Sequence, residues 1–217
     1  MIAPVISDVP AGADVTPGAD GLTILHVGCG RRKTMAACGF ELKNGDDDYA
    51  GPVRWINLDG MASVEPDIVC QLGDDAIPMD DNSVDIALAH HVIEHVGVQG
   101  EIKQWFYFWA ELYRVLKPNG RVLFECPYHT SLWAWADPTH VRPISEYTFL
   151  YLNQDAYRCG GSIPDYRPAC DFVLSDWRLR PDTMNPDVMA KESASHMNGV
   201  LTARKPFRPY WVGSCPA

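Results

Sequence analysis

The stretch 22-LTILHVGCG-30 decides how the rest of the chain is read. Leu22 to Val27 form a short apolar run, too brief for a helix, closed by Gly28-Cys29-Gly30. Such a run bounded by glycines reads as a buried β-strand. Glycine directly after a strand lets the backbone turn sharply and approach a ligand closely.

Moving outward, the same pattern recurs. Arg54–Leu58 reads as a second strand ending at Asp59-Gly60, Asp67–Cys70 as a brief third, Val84–Ala89 as a fourth and Arg121–Cys126 as a fifth. Between the last two, Ile102, Trp105, Phe106, Trp109, Leu112, Tyr113 and Leu116 recur at steps of three and four, which predicts an amphipathic helix. Lys117-Pro118-Asn119-Gly120 then stops the helix and turns the chain. Asp171–Trp177 and Gly199–Arg204 read as two closing strands. Strands alternating with helical segments imply βαβ units. The expected fold is therefore α/β, a doubly wound, Rossmann-like and mostly parallel sheet of about seven strands with helices on both faces.

Residues 1–21, rich in Ala, Gly, Pro and Asp without periodicity, are expected to be a flexible leader, and residues 22–217 a single domain. Seven cysteines, an odd number with no C-x-x-C pair, argue for reduced thiols and a cytoplasmic setting. No apolar run approaches the roughly 20 residues of a membrane span. The net charge is −10, with −11 carried by residues 1–100 and +1 by the remainder. An acidic chain is repelled by phosphate backbones, which disfavours duplex nucleic acid as a partner.

In an open α/β sheet, ligands bind beyond the carboxyl ends of the strands. Gly28-Cys29-Gly30, Asp59, Gly73-Asp74, His90-His91 and Tyr128-His129 all fall at such ends. Asp59, closing the second strand, is placed to accept hydrogen bonds from a ribose diol.

Taken in series, "ILHVGCG", "WINLDG", "DDAIPMDDNSVDIALAHHVIEHV" and "WAELYRVLKPNGRVLFECPYH" resemble the class I S-adenosylmethionine-dependent methyltransferases, most closely the type 11 methyltransferase-domain proteins. The resemblance implies S-adenosylmethionine as cofactor. Gly28, Cys29 and Gly30 would line its methionine end, Asp59 would hold its ribose, Gly73 and Asp74 would lie near its adenine, and His90 would stand where a carbonyl receives its ammonium group. Two departures stand out: His26 replaces the usual acidic residue two before the first glycine, and Arg31-Arg32-Lys33 stand in place of a third glycine.

The run 89-AHHVIEHV-96 holds three histidines and a glutamate. If it opens a helix, His91, Glu94 and His95 share one face. His91-x-x-Glu94-His95 formally matches the inverted zincin pattern, but that pattern needs a long helix and a downstream third ligand. Some O-methyltransferases hold a divalent cation through a Glu-x-x-Glu-His cluster. Here His91 stands for the first glutamate, which disfavours magnesium, and no metal is expected. The expected activity is methyl transfer to an oxygen or nitrogen of a small molecule, with a histidine as general base. His95, His129 and His140 are the catalytic candidates, His91 a further one, and Asp137 an orienter. Tyr128 to Tyr147, with two tryptophans, two histidines and Arg142, should form the substrate side. An inactive cofactor-binding scaffold of the same fold is the alternative. A nicotinamide oxidoreductase would want G-x-G-x-x-G, which the first turn lacks.

Overall fold

A computed structural model describes residues 21–33, 43–44, 47–48, 51–157, 163–164, 166–181 and 194–208. The leader expected over residues 1–21 lies outside the described residues except for Gly21. The elements are β1 (Leu22–Val27), β2 (Lys43–Asn44), β3 (Asp47–Asp48), β4 (Val53–Asp59), β5 (Ile68–Val69), β6 (Val84–His90), α1 (Lys103–Val115), β7 (Leu116–Pro127), α2 (Trp133–Ala136), β8 (Phe172–Pro181) and β9 (Ala194–Ala203). Seven strands form one sheet in the order β5-β4-β1-β6-β7-β9-β8, and β2 pairs with β3 separately. The first five strands of that order run parallel, while β9 is antiparallel to β7 and β8 to β9. The chain leaves β1 in one direction towards β4 and later returns to its other side as β6. The ends of β1 and β6 thus flank the switch point where such sheets bind ligands.

Central parallel strands are covered on both faces and so read as continuous apolar runs. Leu25, Val27, Ala87, Ala89, Val122 and Phe124 pack on one face against Trp105, Phe108, Trp109 and Leu112 of α1. On the other face Ile24, Ile86, Leu88, Leu123 and Val200 form a smaller cluster. Among the described residues α1 is the only α-helix longer than four residues.

The helix stop after α1 is as expected, because Pro118 cannot continue a helix. The expected turn, however, lies within β7 as a bulge: Val84 pairs with Leu116 but Ile86 with Arg121, and Asn119 takes a left-handed φ of 63°. Lys117 Nζ lies 2.8 Å from both oxygens of Asp85, which also accepts from Thr23 N at 2.8 Å. Asp85 is buried, and a buried carboxylate needs such partners. The stretch after β6 does not open a helix. His91 adopts a left-handed φ of 53°, and only one 3-10 turn, Ile93–His95, precedes Gly97 and Gly100, both at positive φ.

His26 is 1% exposed in β1, beside Asn57, Asp59 and the edge of Trp55. Burial is the main cause that lowers its pKa to about 4, with Asn57 and Asp59 opposing. An unfolded histidine titrates near 6.5, so between about pH 6.5 and 4 the unfolded chain binds the extra proton. Stability is therefore intact above that window and falls as the pH drops through it, by about 3 kcal/mol from this residue. Urea unfolding at pH 7.5 and pH 5 should show His26→Leu losing less on acidification than the parent chain. Equal losses would refute the assignment.

Candidate functional site: a glycine crease beside a histidine cleft

The crease at the end of β1 is set by two glycines. Gly28 has φ 62°, and a Cβ there would lie 2.3 Å from Val92, so only glycine fits. Gly30 has φ 51° with nothing among the described residues within 4 Å of where a Cβ would point, which leaves its backbone open to a ligand. Cys29 between them is buried, and burial raises its thiol pKa above the ordinary value, which suits an inert apolar wall. Asp59 closes β4 and holds the crease in shape: Oδ2 accepts from Gly30 N and Oδ1 from Met61 N, each at 2.8 Å. A carboxylate has about four lone-pair sites, so two remain for a diol. These residues fit a nucleoside cofactor. Gly73, at φ 89°, packs against Gln104 of α1, and Asp74 accepts from Gln104 Nε2 at 2.6 Å. Lys33, in place of a third glycine, donates to the Glu65 carbonyl, and Arg31 and Arg32 are exposed.

Asp59→Ala should weaken S-adenosylmethionine by about 1.5–3 kcal/mol, the range for hydrogen bonds to a charged group. Isothermal calorimetry measures this, with Asp59→Asn as the control that keeps the side-chain shape. Unchanged affinity in a folded Ala variant would place the ribose elsewhere.

Past β6 the charged groups concentrate. His90 and Glu125 are register partners on β6 and β7, with His90 Nε2 3.8 Å from Glu125 Oε1. Burial and the adjacent His91 charge lower the His90 pKa to about 4, so it is neutral at pH 7. His91 is the opposite case: burial lowers it, but the Glu125 and Glu94 carboxylates outweigh burial and raise it to about 9. Glu125 in turn is held at about 2, because His91 and Arg180 overcome the upward pull of burial. Arg180 Nη1 meets Glu125 Oε1 at 2.9 Å. His196 stands opposite Pro127 across the β7–β9 pairing, its ring 5.0 Å from that of His91 and its pKa lowered, chiefly by burial.

A cleft of about 310 Å³ opens here, lined by His91, Pro127, Trp133, Ala136, Asp137, His140 and His196. Four of these come from the 128–147 segment, the one expected on the substrate side. That segment is pinned by Val141 N donating to the Glu94 carbonyl at 2.9 Å and by a bridge between Tyr128 and Ile144.

The predicted catalytic histidines separate. His140 lines the cleft. His95 packs edge-on against it, ring centroids 4.6 Å apart, and is not a lining residue. His129 does not join them: its ring lies on Tyr128 at 4.4 Å, its backbone N–H donates to Ile144, and its carbonyl accepts from Trp135 Nε1. His95 and His129, expected to converge on one cleft, are not brought together, because the chain turns away immediately after β7. His196, Glu125 and Arg180 were missed. His196 sits in a stretch without a motif, and only the antiparallel register brings it in.

A family model described as "Methyltransferase domain" matches residues 25–124. Among solved structures, an S-adenosylmethionine-dependent methyltransferase from Archaeoglobus fulgidus superposes with a TM-score of 0.52 at 15% identity, covering 83% of this chain and 86% of that one. An S-adenosylmethionine-dependent methyltransferase from Mesorhizobium loti does so with a TM-score of 0.51 at 14% identity, covering 86% and 93%. At such identities the likeness is one of fold. No curated protein matches by sequence.

Proposed function

We propose that the chain, whose residues 25–124 match a family model described as "Methyltransferase domain", is an S-adenosylmethionine-dependent enzyme that methylates an oxygen or nitrogen atom of a small molecule held in the histidine cleft. The carrying observation is the cleft of about 310 Å³, walled by three imidazoles and the Asp137 carboxylate, one residue beyond the His90 end of β6. A cleft of that size sits at the lower end of small-ligand pockets.

When bound, S-adenosylmethionine supplies an electrophilic methyl group on a sulfonium. The protein contributes alignment, exclusion of water and a place for the proton of the nucleophile. The substrate oxygen or nitrogen forms the new bond to the methyl carbon as the sulfur–methyl bond breaks, and its proton passes to an imidazole of the cleft. His196 is the imidazole of the cleft that we assign as acceptor of that proton, with His140 lining the side towards Glu94. His91, a cation at neutral pH, suits anchoring an anionic or polar group instead. Trp133 gives the cleft an apolar wall for the body of the substrate.

Calorimetry with S-adenosylmethionine, followed by transfer of a labelled methyl group into a metabolite extract, tests the reading. Binding with transfer supports it; binding without transfer to any nucleophile would favour an inactive scaffold, and no binding would remove both. No helix among the described residues is long and apolar enough to cross a membrane.

A further inference from the structure

We propose that Glu94, His95 and His140 form a site for a divalent transition-metal ion of the borderline class, such as Zn²⁺, Fe²⁺ or Co²⁺, at the inner wall of the cleft. Its role in orienting a substrate oxygen rests on the methyl-transfer reading; the site itself does not.

Three observations converge. One ligand atom from each residue lies within 4.8 Å of the other two, and Glu94 Oε1 is 4.0 Å from His140 Nε2. Two ligands about 2.1 Å from one ion at a tetrahedral angle sit about 3.4 Å apart, so small side-chain rotations close the set. Next, Glu94 is 2% exposed, yet among the described residues neither carboxylate oxygen has a hydrogen-bond partner. His91 Nδ1 approaches Oε1 at 3.3 Å, a charge contact without hydrogen-bond alignment. Buried carboxylates otherwise take hydrogen bonds or ligate metals.

The third observation concerns the imidazoles. His140 Nδ1 lies 3.2 Å from the Ala134 carbonyl, which can only accept, so Nδ1 carries the proton and Nε2 the lone pair. His95 Nδ1 lies 3.0 Å from Thr139 Oγ1, whose own hydrogen is donated to Asp137 Oδ1 at 2.6 Å. Thr139 can therefore only accept there, and it fixes His95 in the same form, with Nε2 free. Metal-bound histidines are held in this way, their second nitrogen donating to a carbonyl or other acceptor.

A rival set, His90, His91 and Glu125, is equally close, but Glu125 Oε1 already accepts from Arg180 Nη1 at 2.9 Å, whereas Glu94 accepts no such bond among the described residues. Two imidazoles and one carboxylate suit borderline metals, whereas Mg²⁺ and Ca²⁺ want oxygen. Three protein ligands leave a fourth position, and His140, as a cleft residue, turns it towards the substrate.

The test is titration of the metal-free protein with CoCl₂, read by visible d–d absorption, with a parallel S-adenosylmethionine titration by calorimetry. Co²⁺ bands should saturate at one equivalent. Removing even second-row partners of metal ligands lowers affinity 10–100-fold, so Glu94→Gln and His140→Ala should each weaken Co²⁺ by at least about 100-fold. His90→Ala, which strikes only the rival set, should not. No bands, or variants that bind like the parent, would overturn the site, and loss confined to His90→Ala would move it. If Glu94→Gln does not fold by circular dichroism, His140→Ala decides alone. S-adenosylmethionine binding without Co²⁺ binding would remove only the metal; failure of both would remove the methyl-transfer reading as well.

Discussion

Replacing His140 with alanine is expected to lower kcat by about 10²–10⁴-fold, the range for a group that moves or polarises the reacting proton. S-adenosylmethionine affinity should stay within about twofold, because the residues that fit the cofactor are Gly28 to Gly30 and Asp59, on other strands. His140 lines the cleft, and its Nε2 lies 4.0 Å from Glu94 Oε1. The same change at His129, whose ring rests on Tyr128 outside the cleft lining, should alter kcat no more than severalfold. Steady-state kinetics on the two variants separates the candidates. A large loss at His129 with little at His140 would mean that the nucleophile sits on the other side of the 128–147 segment.

The second large effect is on stability. Trp109 is completely buried and sits edge-on to Trp105, Phe108, Phe149 and Phe172. It thereby joins α1 to β8 and to the 3-10 turn at Glu146–Leu152. Trp109→Ala leaves a cavity that rigid neighbours cannot fill and should lower the unfolding free energy by about 3–5 kcal/mol. Trp109→Phe should cost far less. It keeps most of the ring and removes an indole N–H that has no hydrogen-bond partner, a burden of about 1–3 kcal/mol in the parent. Chemical denaturation of both variants measures the contrast. Equal losses would show that the ring volume kept by Phe does not help and that the whole indole is needed there.

The parallel half of the sheet was readable because burial on both faces leaves a plain chemical trace. Leu22–Val27 was placed to the residue, and Val84–Ala89 missed only His90. α1 was readable because its stripe of tryptophans and leucines repeats at the helical period. The closing strands were placed less well: β8 runs on to Pro181, and β9 begins at Ala194 instead of Gly199. Both extensions mix polar with apolar residues, Arg178, Arg180, Ser195 and His196 beside Leu179 and Met197, so their apolar signal is broken. The same weakness hid half of the cleft. Glycines and Asp59 announce themselves through turn chemistry at strand ends, whereas the meeting of His196 with His91 depends on a pairing between distant segments. The run after β6 misled because its spacing suits a helix while His91 takes a left-handed turn. That turn places the His91 N–H on the Glu125 carbonyl at 2.8 Å, which spacing alone does not reveal.

The antiparallel entry of β9 beside β7 also divides the site between near and distant parts of the chain. Cys29 meets β4 and Gly30 meets Asp59 within about 30 residues of chain, so the crease for the nucleoside can assemble from local loops. The cleft cannot: Pro127 meets His196 and Glu125 meets Arg180 only after chain closures of more than 50 residues, which form slowly. A folding intermediate with the parallel strands formed but β8 and β9 undocked would already own its nucleoside crease. It would still leave Glu125 without its arginine and the cleft without one wall. The residues that fit the cofactor and those that wall the acceptor cleft thus stand on different parts of the sheet, and it is β8 and β9 that complete the second.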